Sequence, residues 1–220
     1  MNEINAQGER SAQRTLQKND NQRDASEILF VRHTAVAEQH QNVCYGATDV
    51  ELSPAGGQHA IEVAESLASL SVDRIVHSGL SRARILAEHL AKLTGLDLEE
   101  CQGLSQRNFG DWELTAWDDI YAEHGDDMMK MVTEPNKYRP GGSETTREFV
   151  ERVATACEKI HQPERTVVVC HGGVIAALTG LANQLSIHEW LEQIPAHGEV
   201  RPLPPVNLDH MSLALQSGRS

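Results

Sequence analysis

The 220-residue chain contains 40% hydrophobic residues, enough for one substantial core of the size a single α/β domain needs. Its formal net charge of −13 excludes a broad surface for nucleic acid or anionic membrane, because phosphate-rich partners are held mainly by Lys and Arg. Cys44, Cys101, Cys157 and Cys170 lie far apart without C-x-x-C spacing, no charged-then-apolar leader opens the chain and no apolar run approaches the roughly 18 residues of a membrane helix, so a cytoplasmic protein without disulfide framework or structural zinc is expected.

Residues 1–26 are rich in Gln, Asn, Arg and Asp and lack periodic apolar positions, which predicts a disordered extension with at most a weak amphipathic helix around Ala12 to Leu16. The run "EILFVRH" then reads as a short buried strand that closes on Arg32 and His33. "SPAGGQHAIEVAESLASL", from Ser53, places Ile61, Ala64, Leu67 and Ala68 at helical spacing behind a Ser-Pro start. "DRIVHS" is a second apolar strand, ending in His77 and Ser78, and "LSRARILAEHLAKLTG" is a helix with Gly95 suited to its C-terminal cap.

"LDLEECQGL" reads as a weaker strand, and the segment from Leu104 to Gly142 as a cap over the site. Trp112, Trp117, Tyr121, Met128, Met129, Met131 and Tyr138 give that cap an apolar character, suited either to stacking on a base or to ordinary packing. "SETTREFVERVATACEKIH" is a strongly amphipathic helix, and "RTVVVCH" is a fully apolar strand leading into the helix "GGVIAALTGLANQL". "HGEVRPLPPV" contributes a late edge strand whose pairing Pro202, Pro204 and Pro205 limit, and residues 207–220 are a frayed tail. The domain thus spans residues 27–206. Strands alternating with helices predict a mostly parallel central sheet with helices on both faces, a three-layer α/β/α fold.

In open parallel sheets ligands bind beyond the carboxyl ends of the strands. Three strands here end in polar pairs: Arg32-His33, His77-Ser78 with Arg82 one turn later, and Cys170-His171 with Gly172 opening a helix. Two histidines and two arginines around one point suit a dianionic phosphate, and backbone N–H groups at the helix start add to them. A neutral imidazole held through its other nitrogen is a competent nucleophile at pH 7. Phosphohistidine would be the product of its attack.

"FVRHT", "SGLSRARILAEHL", "NFGDWE", "RPGGSE" and "VVVCHGGVIAAL", in that order, resemble the histidine phosphatase superfamily, which has the phosphoglycerate mutase-like fold. Within it, "VRHTAVAEQHQNVCYGATDVELSPAG" is similar to the α-ribazole phosphatase branch. The resemblance implies that His33 is the phosphorylated nucleophile, that Arg32 and Arg82 bind phosphoryl oxygens, and that His171 stabilises the transferring group. It also implies that the loop from Val43 to Asp49, with Tyr45 and Gly46, covers the pocket. Neither metal nor cofactor is then required, since side-chain cations supply the electrostatic stabilisation, and EDTA should leave activity intact.

Three departures stand out. Thr34 replaces the commoner glycine after the histidine, and "GGSE" replaces G-G-E-S, which moves the carboxylate of Glu144 by one position. Gln106 occupies the position where the family usually carries a Glu that protonates the leaving oxygen; an amide cannot deliver that proton. His77 is a candidate substitute acid, ahead of Asp111 and Glu113. The leading reading is a phosphomonoesterase for a small phosphorylated metabolite, with α-ribazole 5′-phosphate, a substrate of cobalamin assembly, as the first choice. A mutase would need a second basic cluster, for which Lys130, Lys137 and Arg139 are the candidates. A phospholigand-binding module remains the alternative from another class, and a homodimer stays open.

Overall fold

The structure, a computed structural model, describes residues 27–160 and 165–203; the expected extension over 1–26 and the tail over 207–220 lie outside the described residues. Among the described residues, five strands form the central sheet: β1 (Glu27–Arg32), β3 (Arg74–His77), β4 (Leu98–Glu100), β6 (Arg165–Cys170) and β7 (Val200–Leu203), in the order β4-β3-β6-β1-β7. The first four run parallel, and β7 pairs antiparallel with the outer edge of β1, in the register Val31 opposite Val200. A separate ribbon joins β2 (Val43–Cys44) to β5 (Thr115–Ala116), a pairing too short to leave a periodic signal in the sequence.

The side-chain period of two divides the sheet between two cores. Leu29, Val31, Ile75, Val167 and Val169 pack against α1 (Pro54–Ala68) and α2 (Ser81–Thr94). Phe30, Val76, Val168 and Cys170 face the other way, onto α5 (Thr146–Ile160) and α6 (Gly172–Ala182). The inner strands β1, β3 and β6 are buried on both faces because helices cover both, which is why they read as unbroken apolar runs. Burying each large aliphatic or aromatic side chain contributes about 1.5–3 kcal/mol against the entropy of ordering the chain.

The helix boundaries follow local chemistry. Ser53 caps α1, its Oγ accepting from Gly56 N–H at 2.9 Å ahead of Pro54 in the first turn. The helix expected from Ser143 begins instead at Thr146. Thr145 and Glu148 form a reciprocal capping box there, with Glu148 N–H donating to Thr145 Oγ1 at 3.1 Å and Thr145 N–H to Glu148 Oε2 at 2.9 Å.

Between β4 and α5 the cap carries β5, α3 (Trp117–His124) and α4 (Lys130–Thr133). Trp112 and Ile120 are buried with Cys44, and Phe109, Trp117, Met128, Met131 and Tyr138 pack around them. Most of the cap's apolar residues therefore serve a small core of their own. Tyr121 and Met129, at 60% and 50% exposure, are the members of the set that face outward.

Candidate active site

The sheet order brings the chemistry together. β3, β6 and β1 are neighbours, so their carboxyl ends lie side by side, joined by His33 N–H to Cys170 O at 3.0 Å and Ser78 N–H to Val169 O at 3.2 Å. The rings of His33 and His171 consequently sit with centroids 5.3 Å apart. His33 Nδ1 lies 2.8 Å from the carbonyl oxygen of Thr34, its own neighbour, a contact that requires the proton on Nδ1 and leaves the Nε2 lone pair free. His171 Nε2 meets Ser78 Oγ at 2.7 Å, whereas its buried Nδ1 has no protein partner.

Two guanidinium groups border the pair. Arg82 is fully buried and donates from Nη1 to Thr48 O at 2.7 Å and from Nη2 to Gly46 O at 2.6 Å. The loop carrying these carbonyls is fixed in turn by Glu113, whose carboxylate accepts the N–H groups of Ala47, Thr48 and Phe109 and the hydroxyl of Thr48. Asp49 closes the same loop onto α2 by accepting Ser81 N–H at 2.9 Å, a negative charge at the positive end of that helix. Glu113 thus positions an arginine it does not touch. Tyr45 leans over the site, its ring 5.0 Å from the Arg82 guanidinium carbon and 6.4 Å from the His33 ring.

Arg32 donates from Nη1 to Pro195 O at 2.7 Å. The Nε atoms of both arginines are buried without a protein partner. Native interiors leave few such atoms, and a guanidinium N–H left unpaired in the interior is suited to an oxyanion. Burial draws the Arg82 guanidinium down to about 10, which still leaves it cationic at neutral pH.

Gln106 is brought to the same place, against the first turn of α6. A Cβ on Gly173 would lie 2.6 Å from Gln106 Oε1, so the amide rests against the backbone of that turn and would have to swing aside for a larger residue. Oε1 also accepts Arg107 N–H at 3.0 Å. Beside Gln106 and Ser78 opens a cavity of about 440 Å³, lined further by Glu100, Asn108, Glu144 and Arg152. Most of its lining side chains are polar, and Arg152 is already bound to Glu144 at 2.8 Å.

Among the described residues, His77 has no hydrogen bond or ring contact with His33. Strand alternation turns it to the α2 side with Ile75, where its Nδ1 accepts Gly79 N–H at 3.1 Å among Glu100, Arg84 and Glu88. Ser78, one residue on, is the group that reaches His171. The sequence offered His77 as a substitute acid; the structure places its ring among Glu100, Arg84 and Glu88 and makes its neighbour Ser78 the contact of His171.

A residue that motif reading missed is His197, whose ring lies 5.4 Å from that of His33. It follows no apolar run and so gives no strand-end signal. The signal lay in topology, because a strand added antiparallel to β1 begins where β1 ends.

A model of the histidine phosphatase superfamily (branch 1) matches residues 28–201. The chain belongs to that superfamily. Phosphoglycerate mutase-like protein 4 of Arabidopsis thaliana is 32% identical over 161 residues, 70% of each chain, and a probable phosphoglycerate mutase of Salmonella choleraesuis is 27% identical over 170 residues, 76% of this chain and 78% of its own. Among solved structures, a mycobacterial glucosyl-3-phosphoglycerate phosphatase superposes with a TM-score of 0.69 at 25% identity, covering 80% of this chain and 89% of that one. The α-ribazole phosphatase of Shigella flexneri shares the fold, with a TM-score of 0.68 at 19% identity over 82% and 96% of the two chains. This histidine phosphatase is an enzyme of phosphatase- or mutase-type chemistry. No helix among its described residues is long and apolar enough to cross a membrane.

Burial, then the neighbouring Arg82, holds the imidazoles of His33 and His171 well below the ordinary histidine value of 6.5. Both stay neutral in the folded histidine phosphatase while the unfolded chain takes up protons below pH 6.5. The unfolded state then binds more protons, so folding stability falls as pH drops from 6.5 toward the folded values. Each group contributes up to about 1.4 kcal/mol per pH unit in that window. Urea unfolding at pH 6.5 and 5.5 should show a loss of about 2–3 kcal/mol in the wild type, reduced in the His171→Asn variant. Equal losses in the two proteins would show that His171 is not buried neutral.

Proposed function

We propose that this histidine phosphatase is a metal-independent phosphomonoesterase that works through phosphohistidine at His33. The observation that carries the reading is the hydrogen bond from His33 Nδ1 to Thr34 O, which leaves Nε2 as the nucleophile among Arg32, Arg82 and His171. Nε2 attacks phosphorus, the N–P bond forms as the ester P–O bond breaks, and the leaving oxygen takes a proton. Water then attacks the phosphoryl group, the N–P bond breaks, and orthophosphate leaves with the imidazole restored. Arg32, Arg82, His171 and the backbone N–H groups from Gly172 onward stabilise the equatorial oxygens in both steps. Tyr45 and Gly46 belong to the loop that shields them.

The leaving group would occupy the polar cavity beside Gln106. Glu100 and Glu144 line it, and the one cation there, Arg152, is paired with Glu144 and with the carbonyls of Gly103 and Ser105. A neutral, hydroxyl-bearing leaving group suits such a wall better than a second phosphate or a carboxylate. Two of the three cap cations that a mutase would recruit, Lys130 and Arg139, are engaged elsewhere, with Asp127 and Glu148. Together with the "CYGATDVELS" segment, this favours α-ribazole 5′-phosphate, a nucleoside monophosphate of cobalamin assembly, as the first substrate to test.

The deciding assay follows phosphate release from α-ribazole 5′-phosphate and p-nitrophenyl phosphate in EDTA, beside mutation of 3-phosphoglycerate primed with 2,3-bisphosphoglycerate. Hydrolysis of both esters without mutase turnover is expected. Mutase turnover exceeding hydrolysis would replace this reading, and full binding of phosphate with no turnover of any ester would favour the binding module that Gln106 leaves open.

A further inference from the structure

β7 runs antiparallel to β1, so the chain entering it passes the end of β1 where Arg32 and His33 lie. Arg32 N–H donates to Glu199 O at 3.2 Å and Gly198 N–H to Arg32 O at 3.0 Å, which fixes the register up to the catalytic end. Residues 196–199 make a tight turn closed by Glu199 N–H to Ala196 O at 3.1 Å. Gly198, in its third position, has φ 77, the conformation that such a turn reserves for glycine. His59 of α1 sits against that glycine, 2.5 Å from where a Cβ would stand. The second position of the turn is His197.

The turn therefore holds an imidazole over the nucleophile. The rings of His197 and His33 are 5.4 Å apart at 45°, nearly the separation between His33 and His171. His197 Nε2 is buried and has no protein partner. The charged and titratable groups around it are Arg32, His33 and His59, and the carboxylate of Glu199 in the same turn is already engaged by Ala196 N–H and Arg201. Burial and Arg32 pull its basicity down to about 4, so at pH 7 it is a neutral ring with one N–H to give. A buried nitrogen surrounded by cationic and imidazole groups is best satisfied by an anion.

We propose that His197 is a phosphoryl-contacting residue of this histidine phosphatase, a third histidine that donates a hydrogen bond from Nε2 to a phosphoryl oxygen. The inference rests on the phosphohistidine reading of the site and adds to it a contact from the β7 turn. It gives the turn a function beyond pairing: the Pro195 carbonyl anchors Arg32, and the residue two positions later reaches the same anion.

The test is calorimetric titration of inorganic phosphate into the full chain, comparing wild type with His197→Gln and His197→Met. Gln and Met have similar length and reach, and the Gln amide can donate where Met cannot. A hydrogen bond to a charged group separates them by about tenfold or more in Kd, with Gln within about threefold of wild type. Thermal melts of the two variants check that packing is equally kept; should either melt early, His197→Asn against His197→Leu repeats the donor contrast at shorter reach. Equal affinity of the donor and non-donor variants would overturn the proposal.

Phosphoenzyme trapping on the same preparations separates this inference from the reading beneath it. The Gln/Met split without any phosphoenzyme would overturn the covalent mechanism and leave the His197 contact standing. Phosphoenzyme formation with no split would overturn the contact alone. A wild type that binds no phosphate would overturn both.

Discussion

The His33→Ala variant should form no acid-labile phosphoenzyme and should hydrolyse p-nitrophenyl phosphate at least on the order of 10⁴-fold more slowly than wild type, the scale on which loss of a covalent nucleophile is felt. Alanine removes the only atom to which the phosphoryl group transfers in this mechanism, while Arg32, Arg82 and His171 remain in place. Phosphate binding should accordingly survive in the variant even though turnover does not. The electrostatic consequence runs the same way, since removing a neutral, fully buried imidazole leaves the two guanidinium groups with no additional charge to balance. Rapid-quench trapping with a labelled aryl phosphate reads the covalent step, and steady-state turnover reads the whole cycle. A labelled phosphoenzyme persisting in His33→Ala would move the nucleophile elsewhere, with His171 the first place to look.

Much of this site was legible because strand ends announce themselves. An apolar run that stops on Arg-His or Cys-His has one buried end and one end at the ligand-binding edge of a parallel sheet, and the five-strand order makes those ends neighbours. Position along a strand is coarser than direction, however. His77 and Ser78 are adjacent in sequence, yet only Ser78 meets His171, while His77 accepts Gly79 N–H among Glu100, Arg84 and Glu88. The two-residue strands β2 and β5 were invisible for another reason: a pairing of two residues has no period to detect. His197 was hidden because its approach to His33 is a property of antiparallel register, a long-range fact that its own neighbours in sequence do not encode. Glu113, a lower-ranked candidate acid from the sequence, is committed to the loop N–H groups at 47, 48 and 109, and through that loop it sets the carbonyls that aim Arg82.

The larger question left by the sequence is how the leaving oxygen acquires its proton, and Gln106→Glu should answer it. Gln106 lies against the first turn of α6 with Oε1 already accepting Arg107 N–H, so a carboxylate of the same length would keep that bond and present its second oxygen where the amide nitrogen now lies. The helix start and the two arginines favour its ionised form in the free enzyme. A dianionic phosphate arriving beside it acts in the opposite sense, raising its pKa and supplying the condition for a proton to be held and then given to the leaving oxygen. Alkyl phosphates, whose alkoxides leave poorly, should gain about 10²-fold in kcat, the lower end of what general acid catalysis contributes. p-Nitrophenyl phosphate should change by less than about threefold, because its phenolate needs little help. The sign with pH is fixed by the chemistry: an acid must carry its proton, so the gain is largest at low pH and disappears as pH rises through the carboxyl value in the complex. Wild type, which has no such carboxyl, should lack that alkaline limb on alkyl esters. An unchanged alkyl rate in Gln106→Glu, with the aryl rate also intact, would mean that another group or a water already delivers the proton and that the glutamine costs this enzyme nothing.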